Sequence, residues 1–343
     1  MEVKGVRVKV LGRGSYGAVH LVQTIGHVPQ FYAVKSADET MSSSLRKEYQ
    51  ILQQFIGCPS IVRCFGAFTS VRRGGQGNVF NLFLEYASGG SLLDLMKEYG
   101  GKIPERDVKC YARMILEGLV DIHKKGYIHS DLKPGNILVF PSQDSIGLNT
   151  LKIADFGLVK QYGVEDKRIW EYGFRGTAIY MSPESVIGEV TGALDIWSLG
   201  CIIVEMIAGK LPWVFRNLKD LRDKLLRGET PQIPENMSSM GKNFLIKCFA
   251  RDPNQRWTAR KLLSHRYLLP EHTIFPAARG YNSILSSTNF QEKKLFQSPK
   301  GFLSYNLFPP AGRRDFLEDV RVQLMKTSQC QRQEERRLVK LGV

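Results

Sequence analysis

His129-Ser130-Asp131-Leu132-Lys133-Pro134-Gly135-Asn136 decides how this chain is read. It sets a carboxylate, a lysine and a carboxamide within one short turn. Asp131 can accept a proton from a hydroxyl group. Lys133, two residues on, can neutralise a phosphoryl oxygen. Asn136 carries a carbonyl oxygen suited to a hard cation such as Mg²⁺. Nineteen residues after Asn136 stands Asp155-Phe156-Gly157, a second carboxylate suited to the same metal. An isolated Asp-x-Lys is weak evidence, because most such triplets are solvated turns. Its meaning depends on what surrounds it.

Upstream, Val6 to Leu11 alternates charged and apolar residues, which predicts a strand. Gly12-Arg13-Gly14-Ser15-Tyr16-Gly17-Ala18-Val19 follows. Glycines let a backbone take positive φ and come close to phosphates. In dinucleotide-binding folds such a run opens a helix, whereas Ala18 to Val22 reads as a strand, so these glycines cap a hairpin. Phe31 to Lys35 is a further strand ending in a lysine. Thr40 to Ser44 offers hydroxyls to cap a helix. Leu45, Tyr49, Leu52 and Ile56 then recur at helical spacing, with Glu48 among them. Ile61 to Phe68 and Asn78 to Leu84 predict two strands joined by the loop Arg72 to Gly77. Glu85-Tyr86-Ala87-Ser88-Gly89-Gly90-Ser91-Leu92 ends this strand-rich part. Beyond it, Val108, Tyr111, Ala112, Ile115, Leu119 and Ile122 mark an amphipathic helix leading into the opening stretch. Residues 140–150 read as a polar loop before a strand from Leu151 to Ala154.

In form and order these elements resemble the eukaryotic protein kinases. The resemblance covers about Val3 to Leu269. It implies an α+β, bilobal fold: a small β-rich N-lobe with one main helix (about residues 3–84), a hinge (85–91) and a large, mostly helical C-lobe (92–269). It also implies ATP and Mg²⁺, with Mn²⁺ as a substitute, and transfer of the γ-phosphoryl group to a protein hydroxyl. By family position Leu11, Gly12, Gly14, Gly17, Val19 and Ala33 would line the ATP site from the small lobe. Leu84 would guard the pocket behind it, backbone groups of Glu85 and Ala87 would meet the adenine edge, and Leu138 would form the floor. Lys35, paired with Glu48, would hold the α- and β-phosphates. Asp131 would orient the hydroxyl and take its proton, Lys133 would stabilise the transferring phosphate, and Asn136 with Asp155 would hold the metal.

Three further positions follow from the same resemblance. Glu184, in Ser182-Pro183-Glu184, would pair with Arg256. Asp195, in Asp195-Ile196-Trp197-Ser198-Leu199-Gly200, would brace the catalytic loop. Thr177 would contact that loop, and with Lys133 it goes with serine/threonine specificity. Gly89-Gly90-Ser91-Leu92, Gly176-Thr177 with Tyr180-Met181-Ser182-Pro183-Glu184, and Asp195 to Cys201 look like the MAP kinase kinase kinase group, most like its plant members. That implies MAP kinase kinases as substrates. The alternative is a catalytically weak kinase-fold scaffold that binds nucleotide and partners. Its mark would be loss of Lys35, Asp131 or Asp155, and all three are present. Ser130 departs from the family, which usually has an arginine there to be met by a phosphate on the activation segment. Residues 158–176 contain no serine or threonine. The two absences agree, and predict an enzyme that needs no such phosphate.

Composition sets the outer limits. The chain has 343 residues, 43% hydrophobic and 24% charged, which are globular values. Lys+Arg 48 against Asp+Glu 33 gives +15, which suits acidic partners such as nucleotides and acidic protein surfaces. No long Lys/Arg tract or nucleic-acid module appears, so nucleic acid is not an expected partner. The six cysteines show no Cys-x-x-Cys spacing, which indicates neither a zinc site nor a disulfide framework. Charged residues follow Met1 at once, and the apolar run Leu199 to Ala208 is too short to span a bilayer. The expected location is the cytoplasm, and the nucleus as well. Oligomeric state is not legible. Beyond Pro270 periodicity fades. Residues 270–343 read as a largely flexible tail, either a regulatory or docking segment or one without a role.

Overall fold

The computed structural model describes residues 5–14, 17–25, 28–71, 77–142, 147–163 and 178–269. Five antiparallel strands form the N-lobe: β1 (Gly5–Gly14), β2 (Gly17–Thr24), β3 (Phe31–Asp38), β4 (Cys64–Val71) and β5 (Asn78–Glu85). Their spatial order is β1-β2-β3-β5-β4. Gly14 pairs with Gly17 to close the first hairpin. Gly17 has φ +145°, and a Cβ there would lie 2.0 Å from the Ser36 carbonyl oxygen, so the position admits only glycine. Alternation along β3 and β5 sends Ala33, Leu82 and Leu84 into the main core, while Val22, Val34 and Phe83 build a separate cluster.

Helix α1 (Ser43–Leu52) packs Leu45, Ile51 and Leu52 into the core. Two expectations fail here. None of the hydroxyls between Thr40 and Ser44 makes a side-chain cap for it: Ser42, at the cap position, already has helical dihedrals, and its Oγ donates to the Glu39 carbonyl at 2.7 Å. The helix also stops before Ile56. A 3₁₀ turn at Gln53–Phe55 buries Phe55 instead and leaves Ile56 71% exposed, just before Gly57 at φ +87°. The predicted strand from Ile61 begins only at Cys64 for a comparable reason. Ile61 bridges in parallel to Ile153, with Val62 N donating to Ile153 O at 2.9 Å. The chain at 60–62 is thus paired to the large lobe before it enters the sheet.

The C-lobe holds α2 (Leu92–Glu98), α3 (Glu105–Lys124), β6 (Tyr127–Ile128), β7 (Ile137–Phe140), β8 (Thr150–Ile153) and β9 (Lys160–Gln161). After these come α4 (Pro183–Val186), α5 (Ala193–Ala208), α6 (Leu218–Arg227), α7 (Ser239–Cys248) and α8 (Ala259–Leu263). All six apolar positions read from the α3 periodicity are buried. Helix α5 is buried nearly all round, as expected of a central helix. Among the described residues no helix is long and apolar enough to cross a membrane. Cys58, Cys64, Cys110, Cys201 and Cys248 are free thiols.

The last described contacts are strong ones. Tyr267 is buried, and Arg113 Nη2 donates to the Leu268 carbonyl at 2.7 Å. The tail, residues 270–343, lies outside the described residues. A chain ending at Leu269 is expected to unfold cooperatively within a few degrees of the full-length protein by calorimetry. A lost or much lowered transition would show that folding needs the tail.

Candidate active site

The site forms where β3, α1, the hinge and the turns after β6 and β8 meet. They enclose a cleft of about 920 Å³. Lys35 projects from the inner face of β3. Its Nζ donates to Glu48 Oε2 at 2.6 Å and to Asp155 Oδ1 at 2.9 Å. Burial alone would lower the pKa of Lys35, but the two carboxylates outweigh it and raise the pKa above the ordinary lysine value. Glu48 lies on the buried side of α1. Burial pushes its pKa up, against the pull of Lys35 and of Phe156 N, which donates to Oε1 at 3.2 Å. Asp155 sits in left-handed backbone at φ +63°. Burial works to raise its pKa, yet the Lys35 charge outweighs this and leaves it below the usual carboxylate value.

The loop after β6 is held from two directions. Asp131 Oδ2 accepts from Lys133 Nζ at 2.7 Å and from Asn136 Nδ2 at 3.1 Å. Asn136 Nδ2 also donates to the Asp131 carbonyl at 2.8 Å, and Ala154 N donates to Asn136 O at 2.8 Å. From below, Asp195 near the start of α5 accepts His129 N at 2.9 Å and Ser130 N at 3.0 Å. His123 Nε2 lies 2.8 Å from the same carboxylate. Burial would raise the pKa of Asp195, but these partners, His123 first among them, lower it. Thus a buried anion fixes the two residues that precede Asp131.

The other expected residues fall into place by element. Leu11, Gly12, Gly17, Val19 and Ala33 line the cleft from the sheet, Leu84, Glu85 and Ala87 along the hinge edge, and Leu138 from β7. Gly14 lies at the hairpin end opposite Gly17. Glu184 and Arg256 form a buried pair, with Nη2 to Oε2 at 3.1 Å and a second bond from Nη1 to Oε1. Thr177 lies outside the described residues.

The hinge glutamate contains a finding that sequence reasoning missed. The Glu85 carboxylate accepts Lys152 Nζ at 2.9 and 2.8 Å and Arg63 N at 2.6 Å. That side chain fastens the hinge to β8 and to the β4 approach, and only backbone groups of Glu85 remain for a base. No sequence signal marks Lys152. By contrast, the Ser91–Asp94 capping box at the start of α2, also on the cleft wall, has a legible S-x-x-D spacing.

The donor set suits a hard cation. Asp155 offers carboxylate oxygen, and the Asn136 amide turns its nitrogen toward Asp131, which leaves Oδ1 for a metal. Among the described residues no group of three or more His, Cys, Asp or Glu could hold an ion by itself. This fits Mg²⁺, which is held through one or two carboxylates together with substrate phosphates.

The protein kinase domain family matches residues 6–268. The chain belongs to the protein kinase family. Among its relatives the kinase is similar to mitogen-activated protein kinase kinase kinase 20 of Arabidopsis thaliana, 39% identical over 77% of this chain and 78% of that protein. It is 36% identical to mitogen-activated protein kinase kinase kinase 18 of the same plant, over 82% and 83%. For mitogen-activated protein kinase kinase kinase 17 the figures are 35%, 79% and 71%. The resemblance first read from the motifs therefore holds along the whole kinase domain.

Proposed function

We propose that this kinase transfers the ATP γ-phosphoryl group to serine or threonine hydroxyls of proteins, and that its substrates are MAP kinase kinases. One observation carries the chemistry: Asp131 is aimed and hydrogen-bonded by Lys133 and Asn136, beside an intact Lys35–Glu48–Asp155 set. Lys35 is held cationic where the α- and β-phosphates would lie. Bound Mg²⁺, held by Asp155 and Asn136, would neutralise phosphate charge. Asp131 takes the hydroxyl proton as the acceptor oxygen bonds to the γ-phosphorus and the bond to the ADP oxygen breaks. Lys133 Nζ stabilises the charge on the transferring group. The named relatives support the substrate class, and Lys133 supports serine/threonine specificity. The proposed place of action is the cytoplasm, with the nucleus as well. The scaffold alternative gains nothing from the geometry, because each residue whose loss would mark it is present and bonded.

The test is phosphorylation of purified MAP kinase kinases with labelled ATP and Mg²⁺, followed by phosphoamino acid analysis. Phosphoserine or phosphothreonine is expected, with Lys35→Met inactive though folded. Phosphotyrosine alone, or equal activity in Lys35→Met, would overturn the reading. A second outcome follows from Ser130. Enzyme treated with phosphatase is expected to keep most of its activity. Of the segment concerned, residues 158–177, residues 164–177 lie outside the described residues. Loss of activity on dephosphorylation, with return once Thr177, Tyr162 or Tyr172 is phosphorylated, would overturn that expectation.

A further inference from the structure

Ser44, Lys47 and Glu48 stand at i, i+3 and i+4 in α1, so they share one face of the helix. All three reach the same short stretch of chain. Glu48 holds Lys35 and accepts the Phe156 amide. Ser44 Oγ lies 3.5 Å from the Gly157 carbonyl. Lys47 Nζ donates to the Val159 carbonyl at 2.6 Å. Gly157 comes close to the helix: a Cβ there would sit 3.1 Å from Ser44 Oγ.

The stretch is pinned on its other side too. Val159 is fully buried. Lys160 and Gln161 pair with Ile128 and Tyr127, and Tyr162 N donates to the Gly126 carbonyl at 2.9 Å. Residues 156–162 therefore run as a strap between α1 and β6, and β6 leads directly into the catalytic loop. In this strap the Lys47 ammonium ties the chain after Asp155 to α1. The Val159 group it holds is a backbone carbonyl, which no phosphatase or kinase can remove.

We infer that Lys47 is a positioning residue: by holding the Val159 carbonyl it locks the start of the activation segment to the helix face that presents Glu48, and so keeps the Lys35–Glu48–Asp155 set assembled without a phosphate. The inference rests on the phosphoryl-transfer reading of the cleft. Lys47 touches neither the cleft nor the reacting atoms. Its effect passes through the helix, so it falls on turnover more than on nucleotide binding.

The test compares Lys47→Met and Lys47→Arg with wild type, all dephosphorylated and full length. Lys47→Met keeps the methylene stem but has no donor, and the position is exposed, so it folds. In hydrogen exchange the Tyr162 amide is expected to exchange at least about fivefold faster in Lys47→Met. kcat is expected to fall about tenfold, the loss of one charge-assisted hydrogen bond, with KM for ATP changed less than about threefold. Lys47→Arg, which still donates, should recover both. Ser44→Ala is the second variant and should loosen the same amides less. Wild-type exchange in Lys47→Met overturns the inference whatever the activity. Lost activity with unaltered exchange also overturns it, since that would assign Lys47 to substrate contact. Wild-type enzyme without kinase activity would sink the proposed function, while the exchange comparison would still decide the strap.

Discussion

Asp131→Asn is expected to leave ATP binding within about twofold of wild type and to lower kcat by on the order of 10² or more, the size of a general-base contribution. The geometry argues for a clean loss. Asp131 bonds Lys133 and Asn136 on the loop side of the cleft, whereas Lys35 and Asp155, which would contact the phosphates and metal, bond each other. Asparagine is isosteric, so the loop held from below by Asp195 keeps its shape. It cannot take a proton. Its carbonyl oxygen would take the place of Oδ2, on which Lys133 Nζ and Asn136 Nδ2 now converge, and its amide nitrogen, a donor, would then face the substrate hydroxyl. Half of the side chain would be left facing the wrong partner. Isothermal titration with a non-hydrolysable ATP analogue, beside steady-state kinetics, separates the two effects. Turnover equal to wild type would remove Asp131 from the chemistry.

The second large effect is on stability. Arg256→Ala is expected to cost about 3–5 kcal/mol, because it strips the partner from a buried carboxylate. In a domain of this size that lowers Tm by on the order of 10 °C. The side chains of Arg256 and Glu184 are 0% and 3% exposed. Arg256 also donates to Ala250 O at 3.0 Å and to Ala193 O at 2.9 Å, and its guanidinium stacks 4.9 Å from the Trp197 ring centre. The double variant Glu184→Gln/Arg256→Met should lose less than Arg256→Ala, since no unpaired charge stays buried. The damage should also reach the site. Ala193 opens α5, and α5 carries Asp195 two residues later. A calorimetric Tm within about 2 °C of wild type would show that the pair contributes little.

How much of this was legible in the sequence differs from residue to residue. The polar cluster from His129 to Asn136 is local in the chain, so its spacing suggested a chemistry, which took its meaning from the motifs around it. Lys35, Glu48 and Asp155 became legible through the order of motifs, since no local pattern joins residues so far apart. The α3 face was legible because its period is unbroken. Ile56 was not, because the helix gives way to a 3₁₀ turn three residues before the apolar pattern ends, and Phe55 takes the buried place. The capping hydroxyls misled because Ser42 spends its side chain on Glu39 O. Glu85 was read for its backbone alone, and its carboxylate turns toward Lys152, a partner 67 residues away that no periodicity marks. Lys47 stands outside every motif read from the sequence.

The grip of Asp195 on residue 130 has a consequence of another kind. The carboxylate takes hold of the Ser130 amide, and the backbone there is left-handed at φ +65°. Among the described residues the Ser130 hydroxyl meets the Ile128 carbonyl, at 3.3 Å. What the loop needs from this position is thus its main chain, which every non-proline residue supplies. The side chain is left over. An arginine or a serine can be exchanged at that point with the proton acceptor next door undisturbed, so the side chain that would answer a segment phosphate can change while the catalytic loop is inherited unchanged.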